Sequence, residues 1–105
     1  MNAEDLYTGL TAAGYPVAYR AFKTAPALPY ICYLFVTDDD FHADDANYQR
    51  IDEYAVELYS KVKDEAAEAA VESALASMGL TWSKSEVFID SEDMYEVLYT
   101  VSVVR

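Results

Sequence analysis

Basic side chains are scarce: seven Lys and Arg stand against nineteen Asp and Glu, giving a formal charge of −12 at pH 7. Such a chain has no cationic cluster with which to displace counterions from nucleic-acid phosphates, and it is ill-suited to anionic membrane surfaces. Long apolar runs are also missing. None approaches the roughly 20 residues of a membrane-spanning helix, and the opening MNAEDLYTGL is acidic where a secretory signal would be basic, so cytosolic production is expected. One cysteine, Cys32, excludes an internal disulfide. It sits in the apolar run YICYLFV with no His or basic neighbour to lower its pKa, and its expected role is that of a small buried hydrophobe. Three glycines are too few for a phosphate-cradling loop, and the single His42 supplies no His/Cys set for a transition metal.

Apolar surface, by contrast, is plentiful. About half the residues are hydrophobic and ten are tyrosines, enough to offset the entropy of ordering a chain of 105 residues as one domain spanning 1–105. Asn2 can cap a helix with Glu4 and Asp5 in its acidic first turn and Ala3, Leu6, Leu10 and Ala13 on one stripe, stopped at Gly14. After Tyr15-Pro16, Val17 to Phe22 alternates as a half-buried strand. Pro26 and Pro29 make KTAPALP a connection. Tyr30 to Val36 is nearly all apolar and β-prone, as in an interior strand covered on both faces.

The segment from Tyr48 to Tyr59 fits helical spacing, but it also fits an exposed-edge strand with Tyr54, Val56 and Leu58 opposite Glu53, Glu57 and Tyr59. Its Tyr, Val and Ile content favours the strand. Asp64 then caps a helix with Ala67, Val71, Ala74, Leu75 and Met78 inward, ended by Gly79. Thr81 to Ile89 and Met94 to Val104 form a hairpin around the acidic turn Asp90 to Asp93. Tyr95, Val97, Tyr99, Val101 and Val103 share one face of its second strand. The order α-β-β-β-α-β-β predicts an α+β fold, a mainly antiparallel sheet with helices packed on one face.

Chemistry would have to come from TDDDFHADDANYQR, Thr37 to Arg50. A calcium loop starting at Asp38 needs glycine at its sixth position and Glu at its twelfth, where Ala43 and Gln49 stand. Divalent binding by Asp38, Asp40, His42 and Asp44 competes with a solvated turn between strands, and clustered surface Asp favours the turn. No nucleophile elbow or C-x-x-C is present, and no carboxylate pair is singled out for acid–base work, so no catalytic, cofactor-binding or metal-binding residue is assigned. The tyrosines say more. Ten hydroxyls cannot all find buried partners in so small a core, so some face outward as rigid contact area for another protein, with Tyr95, Tyr99 and Val101 as candidate interface residues and Trp82 expected in the core.

The runs GYPVAYRAF, PYICYLF, YAVELYSKVKDEAAEAAVESAL and SEVFIDSEDMYEVLYTVSV, in that order and spacing, resemble the small tail completion proteins of tailed phages and prophages of Gram-positive bacteria. The resemblance spans nearly the whole chain and is to the tail terminator group. It implies an α+β subunit without enzymatic activity, made in the host cytoplasm and carried in the virion. Six copies would form a ring at the head-proximal end of the tail tube, between the tail tube protein and the head connector or stopper protein, with DNA passing through the lumen without specific binding. The same resemblance makes the stretch after Tyr48 a strand. An acidic lumen would repel DNA, so Asp38, Asp39, Asp40, Asp44 and Asp45 are expected to project from the body into that lumen or over a neighbouring subunit. A different class of function also fits the charge and size: an acidic mimic of nucleic acid that occupies the DNA site of a host defence protein.

Overall fold

The computed structural model describes residues 1–38, 41–43 and 46–105, with residues 41–43 and 46–49 described by their backbone. Helix α1 (Ala3–Thr11) begins at a capping box: the Asn2 side chain accepts the Asp5 N–H at 2.9 Å while the Asp5 carboxylate accepts the Asn2 N–H at 3.0 Å. Its Leu6 and Leu10 are fully buried. Helix α2 (Glu65–Ser77) is capped by Asp64, which accepts the Ala67 N–H at 3.0 Å. It ends in a Schellman motif, with Gly79 N–H bonded to the Ala76 carbonyl, Leu80 N–H to the Leu75 carbonyl, and Gly79 at φ 77°. A Cβ at Gly9 would collide with the Met78 side chain, so that glycine lets the end of α2 lie against α1.

The strands are β1 (Val17–Tyr19), β2 (Tyr30–Asp38), β3 (Phe41–Ala43), β4 (Ala46–Gln49), β5 (Ile51–Ser60), β6 (Trp82–Ile89) and β7 (Met94–Val104). Five of them form one sheet in the order β1-β2-β5-β7-β6. The β1–β2 pairing is parallel and the other three are antiparallel, with Tyr33 opposite Val56, Val56 opposite Tyr99, and Tyr99 opposite Lys84. Opposed residues share a sheet face. Ile31, Tyr33, Val56, Leu58, Val97, Tyr99, Val101 and Val103 therefore point the same way, and they meet Leu6 and Leu10 of α1 and Ala67, Val71 and Leu75 of α2 in a single core. Both helices thus cover one face, as the sequence order implied. The Met1 ammonium donates to the Val104 carbonyl at 3.1 Å, and the Arg105 N–H donates to the Arg50 carbonyl at 2.8 Å.

Four local expectations change. Strand β1 stops at Tyr19 because Arg20 takes a left-handed φ of 69° and Ala21 N–H turns back onto the Tyr19 carbonyl. Strand β5 is the centre of the sheet, not an edge; Glu53 and Glu57 lie on the face that carries no helix, so their charge reports an uncovered face. For the same reason the helices cover β2 on one face only, and Cys32 on its other face is buried without them. Tyr48 to Tyr59 is not one strand: β4 ends at Gln49 and β5 begins at Ile51, and β3 and β4 form a separate two-stranded ribbon, with His42 opposite Asn47 and Ala43 opposite Ala46. Aspartate is depleted in strands, and that depletion hid the ribbon.

Candidate functional site

Alternation along the five strands leaves one sheet face without a helix. Its centre is built by β2, β5 and β7. Tyr30, Cys32 and Leu34 of β2 lie beside Tyr59, Glu57 and Ala55 of β5, and these lie beside Glu96, Leu98 and Thr100 of β7. Cys32 is only 3% exposed even though no helix covers it, and Tyr30, Leu34, Tyr59 and Leu98 are half-buried. The Tyr30 ring lies tilted against Tyr59 at 5.3 Å and meets Phe22 edge-on at 5.3 Å.

Two carboxyls sit in the middle of this apolar floor. Glu57 and Glu96 lie diagonally across the β5–β7 ladder and share a hydrogen bond, and the Tyr59 hydroxyl donates to Glu57 Oε1 at 3.2 Å. Burial first, then the hydrogen bond and negative charge of Glu96, push Glu57 up to about 7, against a smaller lowering by Tyr59. Burial together with these carboxylates raises Cys32 to about 11, so its thiol is protonated and unreactive, as its apolar sequence context implied.

Charge is handled differently on the helix-covered side. Glu68 of α2 is 4% exposed and binds Lys63 and Lys84, each at 2.7 Å. Lys63 also reaches Glu86 at 2.7 Å, and Lys84 reaches Glu72 at 2.8 Å. The buried Tyr99 hydroxyl donates to Glu72 at 2.8 Å. Burial alone would raise the Glu68 carboxyl, but the two ammonium groups outweigh it and hold it below its ordinary value. Glu72 is lowered by Lys84 foremost. The network ties edge strand β6 to α2 through Lys84, which meets both Glu68 and Glu72. Among the described residues no three His, Cys, Asp or Glu side chains gather as metal ligands, and no enclosed cavity is found.

No protein-family model matches the chain, and neither does any curated protein. A virion chain shares the fold. The matching chain, from a structure described as "Virion of native gene transfer agent (GTA) particle", superposes with a TM-score of 0.59 at 15% identity, covering 90% of this chain and 82% of that one. At such identity the likeness is one of fold.

Within that shared fold the expected contact residues separate. Tyr99 and Val101, expected at an interface, are 0% and 1% exposed, because the face of β7 they share is the one the helices cover. Their side chains are used inside the subunit. Tyr95 is half-buried at the end of that row, edge-on to the exposed Phe88 at 4.9 Å. Trp82 packs against the core as expected. Among the described residues the outward tyrosines are Tyr7 and Tyr19; the Tyr19 hydroxyl accepts the Phe35 N–H, a β2 backbone group beyond the end of β1. Asp38 ends β2 and is exposed, while Asp39, Asp40, Asp44 and Asp45 lie outside the described residues. Sequence reasoning missed the Glu57–Glu96 pair. Its only signal was two glutamates on the polar phase of two strands, and recognising it needed the register between them.

Proposed function

We propose that this chain is a virion structural protein that acts by shape and catalyses nothing: a tail terminator or tail completion subunit. In this reading copies of it, six in the assembled ring, close the head-proximal end of a tail tube. The ring touches the tail tube protein below and the head connector or stopper protein above, and DNA passes through without being read. The observation that carries the reading is the likeness of fold to a virion chain across nearly the whole of both chains. The sheet adds physical support. Among the described residues no helix covers one face, and β6 runs along the sheet edge with no strand paired to its outer side; such surfaces are what a heterologous ring contact requires. Tyr95 and the acidic segment from Asp38 to Asp45 are the proposed contacts to neighbours or lumen.

The test is reconstitution. Purified chain added to tubes of the tail tube protein encoded beside it should cap one end with a ring visible by negative-stain electron microscopy. Tubes that stay uncapped and fail to retain the chain on sedimentation would remove this reading. Recovery of a host DNA-binding protein by the chain, with no tube binding, would replace it with the nucleic-acid mimic.

A further inference from the structure

A sheet face with carboxyls at its centre and no cation among them is incomplete electrostatically. The residues of the five strands that face away from the helices include Glu53, Glu57 and Glu96 but no Lys or Arg. Glu53 is satisfied by the Ser102 hydroxyl. Among the described residues the Glu57–Glu96 pair has Tyr59 and its own shared hydrogen bond. The remaining cations are nearly all committed elsewhere: Lys61 to Asp93, Lys63 and Lys84 to the α2 network, and Arg105 to Asp52. Among the described residues, Arg20 and Lys23 meet no carboxylate. Both are exposed, on the connection between β1 and β2, on either side of Phe22, whose ring rests on Tyr30 at the margin of the same open face.

An uncompensated carboxyl pair and an unpaired cation pair on one subunit are complementary between copies. We propose that the open sheet face receives the Arg20–Lys23 segment of a neighbouring copy, with a guanidinium or ammonium seated on Glu57 and Glu96 and the flanking tyrosines closing around it. This rests on the ring reading above and specifies its subunit contact. In the ring reading the contact is heterologous, with the segment at the margin of one subunit's face seated on the centre of the next subunit's face, and it propagates head to tail.

The sign of its pH dependence is diagnostic. The titratable groups facing Glu57 are Cys32 and Tyr30 from β2, Tyr59 and Glu53 on β5, and Glu96 on β7. The open-face residues of β6 are Ser83, Ser85, Val87 and Ile89, none of them ionisable in this range. In the free subunit Glu57 holds a proton to about pH 7, and a seated cation favours the ionised form. Association therefore releases a proton and tightens as pH rises, by about tenfold between pH 6 and pH 8 for one such group. An apolar occupant would give the opposite slope.

Carbodiimide coupling, which joins a Lys amine to a carboxylate in contact, tests the contact on the full chain. Isotopically light and heavy copies are mixed, alone and on tail tubes, and the products are mapped by mass spectrometry. The expected product is a light–heavy crosslink from Lys23 to Glu57 or Glu96 that disappears in K23Q. Sedimentation should show association strengthening from pH 6 to pH 8, with the slope lost in E57Q. Crosslinked rings that join through other pairs, or that couple Glu57 to the tube protein, overturn this inference and leave the ring reading standing. A chain that stays single on every support overturns both.

Discussion

Replacing Glu68 with Gln keeps the shape of a buried side chain and removes the charge that two lysines share. In the native subunit its two oxygens accept from Lys63 and Lys84 at 2.7 Å each, and the carboxylate is almost wholly out of water. Hydrogen bonds to charged groups contribute about 1.5–3 kcal/mol each. Both lysines remain partly hydrated and keep Glu86 and Glu72 as partners, so the net cost should be about 2 kcal/mol rather than the sum. For a domain of this size that lowers the melting temperature by about 8–16 °C. The pH dependence adds a second check. Glu68 and Glu72 are held below the usual carboxylate value, so their stabilisation is complete above about pH 4.5 and is lost as pH falls through the lowered native values. Circular-dichroism melts of wild type and E68Q should show a constant gap from pH 6 to pH 8 that begins to narrow below about pH 4.5 and shrinks steadily as the pH falls further. A gap under about 2 °C at pH 7, or one equally wide at pH 3, would refute the network as a source of stability.

Leu58→Ala empties a fully buried site in the central strand and should cost about 2–4 kcal/mol in urea unfolding; a loss below about 1 kcal/mol would mean that the core is not centred on β5. Asn2→Ala deletes the α1 capping box and should cost about 1 kcal/mol, whereas Asn2→Asp should stay within a few tenths of wild type. Cys32, nearly inaccessible and raised to about 11, should resist Ellman's reagent at pH 8 in the native protein and react at once in denaturant; rapid native labelling would show that the open face is looser than described.

The elements most legible in the sequence were those with both a period and punctuation. Helix α2 has Asp64 and Gly79 at its ends and Ala67, Val71, Ala74 and Leu75 inward, and β7 alternates without interruption from Tyr95 to Val103. Alternation fixed which residues of β7 share a face but not which face the helices cover, so Tyr99 and Val101 read equally well as contact surface and as core. Distinguishing the two requires knowing where α1 and α2 lie, a tertiary fact. Strand β5 shows the same gap from the other side. Its Glu53 and Glu57 suggested an edge, when polar residues on alternate positions also describe a central strand with one face bare. The Glu57–Glu96 pair depends on two registers at once and has no local signature.

Because the Met1 ammonium rests on Val104 and the Arg105 amide on Arg50, the two ends of the chain meet at one corner, beside the start of β5. A short linker could therefore join them and new ends be opened at the Asp90–Asp93 turn, giving a circular permutant with every strand pairing retained. By the same geometry an affinity tag on either end crowds the root of the β3–β4 ribbon, and the Asp90–Asp93 turn is the better place for a label in assembly experiments.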